Sequence, residues 1–171
     1  MFLLALVLSV VADGTAVEFG KLKAVAPASW KVEKPANRLR SHQFKLASPN
    51  KDFADAELIV LPQSNGNAEK VFPGWKGQFD PPDGKTIDDV TKKDTFTVGT
   101  AKVQTLDVSG TWKFKERPQD PKSKLEIRPE YRSIWFIVTV GDESWHVRFS
   151  GPQSVVAKHY DDVLACVKSL K

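Results

Sequence analysis

The stretch that most restricts the fold is Ile134-Trp135-Phe136-Ile137-Val138, continued by Thr139-Val140. An apolar run of this length with no polar alternation suits a strand covered on both faces, and so a central place in a sheet. Gly141-Asp142-Glu143 then offers a tight turn. The next segment alternates. Trp145, Val147 and Phe149 point one way, and Ser144, His146 and Arg148 the other. Ser150-Gly151-Pro152 ends it, because proline has no amide hydrogen for the ladder. Pro152 is well placed to open a helix, where its missing donor costs nothing. Val156, Tyr160, Val163, Val167 and Leu170 recur at steps of four and three, which makes one apolar stripe. The stripe is expected to lie on the sheet face that carries Trp145, Val147 and Phe149.

The remaining 133 or so residues read as more of the same sheet. Val17–Ala26 and Trp30–Val32 are strand-like, Ser41–Ala47 alternates, and Ala56–Leu61 is a strand stopped by Pro62. Asn67 can cap a helix starting at Ala68. Pro73 and Gly74 interrupt that helix, which predicts a short turn and then a second piece running towards Phe79. Asp94–Val98 and Ala101–Val108 form a hairpin across Gly99-Thr100, Gly110 marks a bend, and Thr111–Phe114 continues as a strand. Lys115–Pro129 reads as a charged loop, with five bases, three acids and three prolines. With 41% hydrophobic and 27% charged residues, the 171-residue chain has material for one ordinary core and shows no repeat.

Residues 2–12 are apolar but too few to span a bilayer. Small residues follow, and the segment reads as a secretory signal peptide without a basic leading region. Ala12 and Ala16 are alternative cleavage ends; a buried N-terminal strand or helix is the other reading. The boundaries adopted are 1–16 for the signal peptide and 17–171 for one domain. Losing Asp13 takes the formal charge from +4 to +5. The expected location is therefore periplasmic or extracellular, with no transmembrane segment after cleavage. One cysteine, Cys166, cannot form an internal disulfide, and its place on the last helix suits a small core residue.

Several short motifs occur in a recognisable order. They are Ala28-Ser29-Trp30, Arg40-Ser41-His42-Gln43-Phe44, Glu57-Leu58-Ile59-Val60, Trp75-Lys76-Gly77-Gln78-Phe79, Val108-Ser109-Gly110-Thr111-Trp112 and Ser150-Gly151-Pro152, with the closing Lys168-Ser169-Leu170. From about Phe19 to Leu170 the chain resembles exported bacterial proteins of the PsbP-like superfamily. That resemblance implies an α+β fold, an antiparallel sheet flanked by helices on both faces (an α/β/α sandwich). It also implies accessory binding: a plant member is an extrinsic photosystem subunit, and a nuclear-import member binds a small GTPase. Related bacterial sequences often carry arginine before the helix tryptophan, where this chain has Gly74.

No catalytic constellation is legible. His42, His146, His159 and Cys166 are scattered, and zinc needs three or four ligands at matched spacing. His159 and Asp162, one turn apart, read as a solvated face. There is no Gly-x-Ser-x-Gly and no glycine-rich phosphate loop after a strand, so no cofactor and no metal are expected. Trp112-Lys113-Phe114-Lys115 reads as a half-buried strand, and no nucleic-acid partner is expected. A charge of +5 on an exported chain suits a protein or an anionic envelope component. The polar residues singled out for ligand binding are Arg40, His42, Trp75, Gln78 and Arg148. Arg148 needs either an internal acid or a ligand beside Trp75 and Gln78, because a covered guanidinium is costly alone. Two functions follow: an exported non-catalytic accessory or binding protein, or an envelope carrier or enzyme using a pocket near Arg40, Trp75 and Arg148.

Overall fold

A computed structural model of the chain describes residues 14–117 and 120–171. The expected leader lies almost wholly outside the described residues, as do Pro118 and Gln119.

Alternating residues build the strands in chain order. A hairpin comes first, β1 (Thr15–Phe19) and β2 (Leu22–Ala26), followed by β3 (Lys31–Val32), β4 (His42–Leu46) and β5 (Ala56–Leu61). Helix α1 (Ala68–Lys76) precedes β6 (Phe79–Asp80), β7 (Thr91–Val98), β8 (Ala101–Lys115), β9 (Leu125–Val140) and β10 (Glu143–Pro152), and α2 (Gln153–Lys168) closes the chain. Among the described residues, eight strands form one antiparallel sheet in the order β3-β4-β5-β10-β9-β8-β6, with β7 also paired to β8. The class is α+β.

The sheet is organised as the apolar run requires. β9 lies between β10 and β8, and Ile134 to Val138 are all buried. A two-residue loop, Gly141-Asp142, joins β9 to β10, and Gly141 takes φ +60°. Successive β9 residues feed two separate cores. Ile134, Phe136 and Val138 pack with Trp145, Val147 and Phe149 of β10 and with Val155, Val156, Val163 and Val167 of α2. Trp135 and Ile137 pack with Leu106 and Val108 of β8 and with Ala68 and Phe72 of α1. Each large side chain so buried contributes about 1.5–3 kcal/mol in transfer terms. The nine residues of α1 cover only part of the second face, and Gln43, Glu57 and Arg148 lie on the remainder beside buried Ile59.

The structure revises several boundaries. Val17–Ala26 is a hairpin rather than one strand, turning at Gly20, whose φ is +61°. β1 begins at Thr15, two residues before the expected start of the domain. α1 is one continuous helix through Pro73. Pro73 and Glu69, whose carbonyl loses its usual donor, are both exposed, so water can take that carbonyl. Asn67 caps the helix, its side chain accepting from Lys70 N at 3.2 Å. Phe79 belongs to β6, not to the helix.

The charged loop is shorter than Lys115–Pro129, since Leu125–Arg128 pair with Lys115–Trp112 of β8. Pro129 escapes the ladder because the register shifts there. Gly110 pairs with Tyr131 and Trp112 with Arg128, and Glu130 takes φ +52° in the bulge. Gly110 has φ +148°, and a Cβ there would strike the Asp80 carbonyl, so the bend admits β6 only because the residue is glycine. Pro152 is the cap residue of α2 rather than its first turn.

Candidate functional site

The polar part of the second face is built by alternation on three strands. Gln43 of β4, Glu57 of β5 and Arg148 of β10 all point away from the α2 core, and Arg40 reaches over from the preceding loop. Glu57 is the hub. Arg148 Nη2 donates to Glu57 Oε2 at 2.9 Å, Arg40 Nη1 donates to Oε1 at 3.2 Å, and Gln43 Nε2 donates to the same Oε1 at 3.0 Å. Gln43 Oε1 in turn accepts from Arg40 Nη1 at 2.9 Å and from Ala36 N at 3.0 Å. The two guanidinium side chains are 8% and 10% exposed and Glu57 is 32% exposed, so the carboxylate is the part of the group nearest water.

Arg148 is also enclosed by rings. Its guanidinium carbon lies 5.2 Å from the Trp112 centroid, 5.5 Å from Trp135 and 5.9 Å from Phe114. Such contacts favour the cation when water is excluded. Burial nevertheless pulls the Arg148 guanidinium down to about 10, with Glu57 opposing and Arg40 and Arg128 adding to the fall. It remains charged at neutral pH. Two cations on one carboxylate leave a positive surplus, and Arg148 Nε is buried with no hydrogen-bond partner among the described residues. Nearby, Arg128 lies 3.8 Å over Phe114 and is held by Glu126 through Nε and Nη2.

The five residues singled out from the sequence are only partly brought together. Arg40 and Arg148 share Glu57. Trp75 stacks on Trp135 at 4.1 Å, and Trp135 is in turn one of the rings around Arg148. Gln78 Oε1 accepts from Trp112 Nε1 at 3.1 Å, which fixes another ring of the Arg148 enclosure. His42 is not part of the group: it alternates with Phe44 on the α2 side of the sheet, and its Nδ1 lies 3.0 Å from Ser41 Oγ. Burial lowers the His42 pKa, with Glu18 opposing. Glu57, Gln43, Trp112 and Trp135 were missed. Glu57 is the one acid in the apolar strand Ala-Glu-Leu-Ile-Val-Leu, and that was the available signal.

The other histidines are engaged by backbone. His146 Nε2 lies 2.7 Å from the Asn65 carbonyl and its ring meets Trp75 edge-on; His159 Nε2 lies 2.8 Å from the Ala47 carbonyl. Burial pushes the Cys166 thiol up to about 11, which suits a packing residue. Among the described residues, no group of three or more His, Cys, Asp or Glu side chains is arranged to hold a metal ion, and no helix is long and apolar enough to cross a membrane. Four surface grooves, of about 270 to 580 Å³, have none of Arg40, Trp75, Gln78 or Arg148 among their lining residues.

No family model matches the chain, and no curated protein matches it. Among solved structures, the chain is similar to LpqN of Mycobacterium tuberculosis, described as involved in cell envelope biogenesis. The TM-score is 0.48 at 10% identity, over 93% of this chain and 84% of that one.

Proposed function

We propose that the protein is an exported, non-catalytic accessory or binding protein of the PsbP-like kind, an α/β/α sandwich released from its leader into the periplasm or the extracellular space. The observation that carries this reading is the mutual engagement of the polar residues. Glu57 is taken by Arg40, Gln43 and Arg148, Gln78 by Trp112, and His146 by Asn65. A catalytic group needs a free acid, base or nucleophile within reach of a substrate; these side chains instead brace the sheet. The partner is a protein or an anionic component of the envelope, in keeping with the basic charge.

Affinity capture with the purified protein from its own exported fraction tests this. A component that binds saturably and is competed off by free protein supports the reading. Absence of any competed component sinks it.

One observation favours the second reading, a small-ligand carrier centred on Arg40 and Arg148. Arg148 carries a buried donor, Nε, that no group among the described residues satisfies.

A further inference from the structure

Arginine meets a carboxylate best along an edge, with two parallel N–H donors facing two oxygens. Arg132 shows this arrangement complete: Nε donates to Asp107 Oδ1 at 2.8 Å and Nη2 to Oδ2 at 2.6 Å. The same edge of Arg148 is half used. Nη2 bonds Glu57 Oε2, while Nε has no partner among the described residues. Glu57 cannot supply the second oxygen, because Oε1 is held by Arg40 Nη1 and Gln43 Nε2. One carboxylate is thus divided between two guanidiniums, both about nine-tenths buried, and Arg148 is the one left short of an acceptor.

We propose that the Nε–Nη2 edge of Arg148 is the binding site for a small free carboxylate, whose two oxygens span the edge while Glu57 turns outward and stays with Arg40. The proposal rests on the carrier reading above and names its ligand class. Three features support it. Two cations share one anion, so a second anion relieves a surplus rather than creating one. Glu57 lies nearest to water, so it can yield its place without unpacking the core. Trp112, Trp135 and Phe114 wall the guanidinium, which suits a planar monoanion: ring faces are electron-rich and oppose the further charged oxygens of a phosphate.

The test follows the Arg148 side-chain Nε–H resonance by two-dimensional NMR on ¹⁵N-labelled protein, titrated with acetate, benzoate, phosphate or chloride at constant ionic strength. Acetate and benzoate are expected to shift that resonance saturably, with phosphate and chloride about tenfold weaker or worse. Arg148→Lys, which keeps the charge but has no edge, is expected to abolish saturable binding. Should that variant fold poorly, Glu57→Gln decides the matter: freeing the edge is expected to tighten acetate binding about tenfold or more. An Nε–H that responds to none of the anions overturns the proposal, as does an equal response to chloride or phosphate, or a Glu57→Gln protein indifferent to acetate. These outcomes are independent of the capture experiment, so either reading can fail alone.

Discussion

Trp75 of α1 lies flat on Trp135 of β9, ring centroids 4.1 Å apart and planes 11° from parallel. The contact fastens the short helix to the centre of the sheet and closes one side of the Arg148 enclosure. Trp75→Ala is therefore expected to cost about 2–4 kcal/mol, at the lower end for a tryptophan truncation because the ring is only half-buried. A urea melt checks this, and an unchanged midpoint would show that α1 is held by Phe72 and Ala68 alone.

On the other face, Val163 is fully buried beneath α2. Val163→Asp places an unpaired carboxylate in the main core and is expected to leave no cooperative transition at room temperature, a loss of about 4 kcal/mol or more. Lys158→Asp, on the exposed side of the same helix, is expected to melt within about 0.5 kcal/mol of the parent. Circular dichroism of both variants separates burial from mere helix charge.

Removing the hub of the ionic group is a different kind of damage. Glu57→Gln leaves Arg40 and Arg148 without their shared anion and is expected to cost about 2–3 kcal/mol, below the range for a sealed pair because Glu57 reaches water. Arg148→Met fills the space without charge and is expected to be better tolerated than Glu57→Gln. The order of the two denaturation midpoints is the measurement.

Burial lowers the pKa of His146 and of His42 below their ordinary value of 6.5. The unfolded chain then binds more protons than the folded one just below that value. Stability is present above about pH 6.5 and falls as the pH drops through the window beneath it. Asp89 and Glu126 are held low by Thr86 and Arg128 respectively, so they add to the loss only under more acid conditions, below about pH 4.5. Urea midpoints taken at about pH 7.5 and about pH 5.5 should differ in that direction, and His146→Gln should reduce the difference.

Gly110 is the remaining point of leverage. Gly110→Ala must adopt an unfavourable φ and push its methyl into the Asp80 carbonyl. It is expected to cost about 2 kcal/mol or more and to release β6 first. Hydrogen exchange at Lys113 N, which donates to the Gln78 carbonyl at 2.8 Å, should quicken before exchange in β9.

What was legible in the sequence was local. The unbroken apolar run of Ile134–Val138, the glycine of the Gly141 turn and the spacing of the α2 stripe each carry their own local signal, and the structure places all three accordingly. The errors came where one residue's local cost is absorbed elsewhere. Pro129 argued for a loop, yet it sits in a bulge that needs no donor from it. Pro73 argued for a broken helix, yet its orphaned carbonyl faces water. The site was half legible for a related reason. Alternation alone turns Arg148 away from α2 and sets His42 on the opposite face from Gln43. Only strand pairing shows that Arg148 falls beside Glu57, 91 residues earlier in the chain.

That separation has a consequence for how the molecule is made. A chain that emerges from its N-terminus produces β4 and β5 long before β10 exists to receive them. The hairpin of β9 and β10, with α2 following directly, can form from neighbours in the chain, whereas β5 has to be captured across a long closed loop. Until then the β10-facing edge of β5 and the Glu57 Oε2 oxygen stay wet and unmatched. The ion pair with Arg148 is thus among the last contacts of the sheet to form, and its presence marks a chain in which β5 has already been captured by β10.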